Sequence, residues 1–144
     1  MLRVVIDTNL VISGTAKSNT IPHRLLEGWR KKEFLLITSI PILSEIKEVL
    51  DRKEIQSHFF LKPEDIQDMI QALSTQTIIT SGALEVDIVK DDPDDNKFIA
   101  AAIEGSASYI ISGDRDLLDI GDYEGIKIMK ARNFLKDVLQ KDVK

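Results

Sequence analysis

Five short apolar runs, rich in β-branched residues, alternate with longer segments whose apolar residues recur at helical spacing. This alternation leaves few folds open. The strand candidates are residues 2–6, 34–38, 77–80, 109–112 and 126–129. Helical patterns cover residues 10–15, 22–32, 41–51, 63–76, 94–105 and 131–140, with a short turn near 115–120. A helix between nearly every pair of strands is the signature of an α/β domain with a mostly parallel sheet. Right-handed crossovers then favour a three-layer sandwich, here with a five-stranded sheet. Prolines in "TIPH", "SIPI" and "KPED" fall where helices should start.

A chain of 144 residues is most simply one domain spanning residues 1–144, large enough for a real core. It has no cysteine, which excludes disulfides, thiolate metal sites and a cysteine nucleophile. That composition is compatible with a reducing, cytoplasmic setting, which is the expected location. No apolar run approaches the roughly 18 to 20 residues of a membrane span. The opening "MLRVVIDTN" enters a strand pattern at once, so no signal peptide is expected. A net charge of -5 argues against a general basic coat for nucleic acid, but not against local basic patches.

Four places combine acids with a telling position. In "RVVIDTN", Asp7 directly follows the first strand, and ligand sites of parallel α/β sheets gather at the carboxyl ends of strands. The plain reading of Asp7 is a helix cap. In "SIPILSEIKEVL", a turn of about 100° per residue puts Ile42, Leu43, Ile46, Val49 and Leu50 on one stripe. Glu45 borders that stripe, while Glu48 points nearly away from it. In "ISGDRDLLD", Asp114 repeats the arrangement of a strand followed by an acid, and Asp116 lies in the next turn. Again the plain reading is a cap, with Ser112 near enough to orient a carboxylate.

The fourth place is "KDDPDDNKFIAAA". Asp92 as N-cap, Pro93 at the first helical position and acids in the first turn account for most of the run. They do not account for Asp95. It precedes Phe98, Ile99 and Ala102 by three, four and seven residues, which sets it over the buried face, with Asp94 and Asn96 about 100° to either side. A carboxylate there is costly unless a cation or hydrogen bonds compensate it. If the first and fourth strands are neighbours, the four acids converge. Oxygen ligands without cysteine or a well-placed histidine favour Mg²⁺ or Mn²⁺ over Zn²⁺. His23 and His58 lie in other segments and read as surface or packing residues.

With these pieces in this order, "VVIDTNLVISG", the Glu45 helix, "DPDDNKFIAAA" and "YIISGDRDLL", the chain resembles the PIN-domain ribonucleases. The likeness covers nearly the whole chain and is greatest to the stand-alone, VapC-like toxins of toxin–antitoxin pairs. The resemblance implies a sheet of order 3-2-1-4-5. It implies metal-binding, catalytic acids at Asp7, Glu45, Asp95 and Asp114, with Asp116 as a further metal candidate. Thr8, Asn9, Asn96 and Ser112 match positions that support such a site. Some relatives carry the third acid one residue later, where this chain has Asn96, so Asp95 and Asn96 both stay open.

The implied reaction is metal-dependent hydrolysis of RNA phosphodiester bonds. An acidic centre then needs cations nearby to admit RNA, and Arg24, Lys97 and Arg115 are the first candidates for phosphate contacts. Arg30, Lys31, Lys32 and Lys130 follow, although each of these cations reads equally as a solvated surface charge. The resemblance also implies an antitoxin partner and a homodimer. A second class of function is a non-catalytic PIN-like module that binds RNA or protein without cutting. A receiver or phosphatase-like enzyme is a third, but its partner lysine has no clear match here, and Walker A and dinucleotide glycine patterns are absent.

Overall fold

The computed structural model describes residues 1–143. Its elements run β1 (Arg3–Ile6), α1 (Thr8–Thr15), α2 (Ile21–Arg30), β2 (Leu35–Ser39), α3 (Ile40–Leu50), α4 (Lys53–His58), α5 (Pro63–Thr75) and β3 (Ile78–Thr80). A 3₁₀ turn (Pro93–Asp95) then leads into α6 (Asn96–Glu104), β4 (Tyr109–Ile111), α7 (Arg115–Leu118), β5 (Asp122–Tyr123), β6 (Ile126–Met129) and α8 (Ala131–Asn133), which continues as a π turn (Phe134–Val138).

The sheet order is β3-β2-β1-β4-β6-β5. All pairings are parallel except β5 with β6. The three-layer α/β expectation holds, with one correction: the sheet has six strands rather than five. The extra strand is the two-residue β5, which a hairpin folds back onto β6 at the sheet edge. Two residues carry no readable alternation, so the sequence pattern could not register them. The order of the five expected strands is unchanged, and the strand at 126–129 lies beside β4.

Apolar strands make the centre of the core. Val4, Val5 and Ile6 of β1 and Ile110 and Ile111 of β4 are buried, as both-faces-covered parallel strands require. Helix starts use the sequence's own signals. Ser39 ends β2 and caps α3 by accepting the Ile42 N–H at 3.3 Å, and Thr20 does the same for α2 through His23. Helix α6 lies across β2, β1 and β4. It approaches so closely at its end that a Cβ on Gly105 would clash with Ile37 Cγ2. Helix α4 had no counterpart in the sequence reading. None of its residues is buried, so it has no apolar stripe to read.

The sheet changes direction between β1 and β4, which pair in register from Val4 with Tyr109 to Ile6 with Ile111. The Asp7 N–H donates to the Ile111 carbonyl at 3.0 Å. Asp7 and the Ser112 to Asp114 segment therefore leave adjacent strands at the same edge, the switch point where open α/β sheets bind ligands.

Candidate metal centre

Asp7 is 4% exposed and both its oxygens are engaged. Oδ1 accepts the Leu10 N–H at 2.9 Å, and Oδ2 accepts the Ser112 hydroxyl. The cap reading of Asp7 is thus correct, and so is its convergence with the fourth strand. Ser112, wholly buried, links the two strand ends, because its Oγ also accepts the Asp114 N–H at 2.9 Å. Asp114 Oδ1 in turn accepts the Asp116 N–H at 2.8 Å and caps α7. Burial pushes the Asp7 carboxyl above its ordinary range; hydrogen bonds from Ser112, Leu10 and Gly113 oppose this, and the Asp114 charge adds to it.

Asp95 lies where the helical wheel put it, 7% exposed, whereas Asp94 beside it is 76% exposed. Its Oδ2 is buried with no hydrogen-bond partner. Burial raises its pKa to about 8, and the neighbouring carboxylates of Asp114, Asp92 and Asp7 push in the same direction. Asp116 is also raised, first by desolvation and then by the charges of Asp114, Asp91, Asp92 and Asp119.

One carboxylate oxygen from each of Asp92, Asp95, Asp114 and Asp116 lies within 4.8 Å of the others. Four acids at this spacing repel strongly unless a cation sits among them. The unpartnered Oδ2 of Asp95 and an all-oxygen donor set fit a hard divalent ion such as Mg²⁺ or Mn²⁺.

Asp92 was missed by sequence reasoning, which gave it a capping role. Its side chain makes no cap hydrogen bond. The Asp95 N–H that such a cap would accept is already donated to the Asp92 backbone carbonyl at 3.0 Å, inside the 3₁₀ turn. The acidic run itself was the available signal, but a cap and a ligand look alike in sequence. Between Asp95 and Asn96, the geometry brings Asp95 to the cluster. The Asn96 carboxamide instead accepts the Ile88 and Val89 N–H groups at 2.9 and 2.8 Å.

Glu45 does border the buried stripe, 30% exposed against 70% for Glu48. It lies outside the four-acid group, ion-paired to Lys97. Lys97 also bonds Asp94 at 2.6 Å. Burial works to lower the Lys97 pKa, but hydrogen bonds and charge from Asp94 and Glu45 outweigh it and hold the ammonium above its ordinary value. Lys97 is therefore an internal counter-ion rather than a free phosphate contact. A cavity of about 670 Å³ opens beside it, lined in part by Ser39, Pro41, Leu84, Pro93 and Asn96.

Of the other expected residues, Thr8 is buried with an unpartnered Oγ1, and Asn9 is exposed. Arg24 is turned elsewhere, donating to the Asp142 carbonyl at 3.0 Å. Arg115 is 91% exposed next to Asp114 and Asp116, its nearest acid being Asp119 at 4.0 Å. His23 bonds the Gly14 carbonyl and His58 is exposed against Phe59, in keeping with packing roles.

The sequence profile of the PIN domain matches residues 3–116, which contain every element that meets at this acidic centre. The chain belongs to the PIN-domain family. A relative within reach of simple alignment is the uncharacterized protein MJ1680 of Methanocaldococcus jannaschii, 33% identical over 133 residues, covering 92% of this chain and 82% of that one. Among solved structures, the fold of this PIN domain is shared with VapBC2 from Rickettsia felis, solved bound to a DNA fragment from the promoter. The TM-score is 0.55 at 14% identity, covering 88% of this chain and 97% of that one. No helix among the described residues is long and apolar enough to cross a membrane.

Proposed function

We propose that this PIN domain, as one unit over residues 1–144, is a divalent-metal-dependent endoribonuclease and the toxin of a toxin–antitoxin pair. The observation that carries the reading is Asp95: a buried carboxylate with an unpartnered oxygen, surrounded by further acids at the sheet's switch point. Family membership supports nuclease chemistry, and the fold shared with VapBC2 supports the toxin assignment.

Asp95, Asp114 and Asp116 would hold Mg²⁺ or Mn²⁺, with Asp7 adding negative charge from the buried side. A bound ion would polarise the scissile phosphate and lower the pKa of its water. The protein's own part is orientation. Ser112 ties the Asp7 carboxylate to the Asp114 backbone, and the Asp116 N–H holds the Asp114 carboxylate, so both strand-end acids are oriented. Glu45 keeps Lys97 beside the centre, so the pair brings no net charge of its own to an acidic surface that RNA must approach. Arg115, long and exposed next to two of the acids, is the cation best placed to meet a phosphate. A small antitoxin encoded beside this chain and a homodimeric state complete the reading, as does a cytoplasmic location.

The test is cleavage of a mixed RNA pool by the purified protein with Mn²⁺, with Mg²⁺ and with chelator, beside a folded Asp7→Asn variant. Cleavage is expected only with metal, and the variant should lose most of it. The engagement of Glu45 by Lys97 favours one other reading, a PIN-like module that binds RNA or protein without cutting. Intact RNA with retained RNA binding under all conditions would establish that module and reject the nuclease.

A further inference from the structure

Residues 81–92 connect β3 to the 3₁₀ turn without forming helix or strand, yet both ends of the segment are fastened to α6 by side chains. Glu104 takes the Gly82 N–H and the Ser81 hydroxyl, each at 2.9 Å. Asn96 does more at the other end. Its Oδ1 accepts two successive backbone N–H groups, those of Ile88 and Val89. Its Nδ2 donates to the Pro93 carbonyl at 3.0 Å and the Val89 carbonyl at 3.4 Å. One carboxamide thus uses its acceptor and donor capacity to close the chain between Val89 and Pro93 into a ring.

Asp92 is inside that ring. Its neighbours on both sides are pinned, Val89 further by burial in the core. Its side chain is not used for capping, and it reaches the group formed with Asp95, Asp114 and Asp116. Among the described residues, the two cations nearest in sequence to that gathering are engaged elsewhere. Lys97 is held by Glu45 and Asp94, and Arg115 is directed to solvent. The unpartnered, buried Oδ2 of Asp95 independently indicates that a cation belongs there.

We propose that Asp92, held in place by the Asn96 carboxamide, is an additional ligand of the divalent cation, so that the ion sits toward the 88–93 ring and away from Glu45. This rests on the metal-centre reading above and adds to it a ligand and the residue that positions it. Asn96 is a positioning residue. It offers no carboxylate, and its removal acts only through the ring.

The experiment is calorimetric titration with Mn²⁺ alone of the full chain and of Asp92→Asn, Asn96→Ala, Asn96→Asp and Asp95→Asn, with backbone amide exchange followed in the metal-free proteins. Asp92→Asn should weaken Mn²⁺ binding by at least about tenfold, the lower end of what outer partners of a metal site are worth. Asn96→Ala should release the Ile88 and Val89 amides to exchange and weaken Mn²⁺ to a similar extent, although no charge has been removed. Adding Asp92→Asn to Asn96→Ala should cost little more, since both act through one contact. If Asn96→Ala does not fold, Asn96→Asp keeps the two accepted bonds and loses the two donated ones, so a smaller rise in exchange with weakened Mn²⁺ supports the same role. Wild-type Mn²⁺ affinity in Asp92→Asn, with affinity lost in Asp95→Asn, overturns the proposal and leaves the centre standing. Wild-type affinity in both rejects the centre itself.

Discussion

Asp7 and Asp114 stand where two neighbouring strands end, whereas Asp92 and Asp95 come from a loop and a single 3₁₀ turn. The first pair is set by backbone pairing of β1 with β4 and tied by one buried serine. The second pair is set by side chains that reach back to the main chain, above all Asn96. The sheet-borne acids have their hydrogen bonds satisfied. The loop-borne acid Asp95 does not, and this imbalance makes it the site's most sensitive point. The sheet edge holds acids already fixed by their own hydrogen bonds, while the loop side holds a carboxylate oxygen whose demand the protein leaves unmet.

The sharpest way to break the comparison is Asp95→Asn. Metal-dependent RNA cleavage should fall by at least about 100-fold, beyond the 10- to 100-fold that partners of ligands contribute. As the pH approaches 8 the metal-free variant should melt at or above the wild-type temperature, because only there does Asp95 become a buried charge among like charges. The pH dependence follows from the same carboxyl. Asp95 keeps its proton to about pH 8 in the folded chain, against an ordinary 3.8 when unfolded. The folded state binds the extra proton, so this contribution to stability is complete below pH 3.8 and lost as pH rises to about 8. Melting of the metal-free wild type from pH 5 to 8 should show a decline that Asp95→Asn lacks. Equal slopes would mean that Asp95 carries no such proton.

Ser112→Ala strikes the sheet-borne side. It removes the buried hydroxyl that joins Asp7 to the Asp114 backbone. Activity or Mn²⁺ affinity should drop by about 10- to 100-fold. Stability should fall by about 1 to 3 kcal/mol, because the buried Asp7 oxygen loses its donor. Asp95→Asn and Ser112→Ala should therefore move the metal-free melting temperature in opposite directions. Urea unfolding of both variants checks this, and a shift of the same sign would show that the two halves are not held differently after all.

The same contrast explains what the sequence disclosed. Strand ends are local: a β-branched run followed by an acid placed Asp7 and Asp114 correctly, and helical periodicity placed Asp95 inward and Glu48 outward. Asp92 reads as a cap in sequence because one residue cannot announce whether its side chain turns to its own helix or gathers with carboxylates more than twenty positions away. The Lys97–Glu45 pair joins residues 52 positions apart on different helices, and no local pattern encodes that meeting. The edge strand β5 was invisible because its two residues hold too little pattern.

Lys97→Met probes that pair. Removing a cation beside an acidic centre should strengthen Mn²⁺ binding several-fold, through lost repulsion between the two positive charges. Glu45 is left half-buried and unpaired, and becomes a competitor for the ion. If calorimetry instead shows weaker binding, Lys97 is holding Glu45 in a geometry that the ion uses, and Glu45 rejoins the ligand set.

Asp94→Asn should have the smallest effect, and its smallness carries information. Asp94 is next to Asp95 in sequence and shares its acidic turn, yet its side chain is 76% exposed and pairs with Lys97 at 2.6 Å. Lys97 keeps Glu45 when Asp94 is neutralised. Stability should therefore stay within about 0.5 kcal/mol of wild type, as for surface changes generally. Cleavage and Mn²⁺ affinity should be unchanged. The 3₁₀ turn directs Asp94 and Asp95 to different sides, so two adjacent carboxylates differ between solvent and the buried acidic group. Measured beside Asp95→Asn, the pair isolates direction from chemistry, since both variants replace a carboxyl by a carboxamide at adjacent positions. Loss of activity in Asp94→Asn with activity spared in Asp95→Asn would reverse that direction, and with it the side of the turn on which the cation is bound.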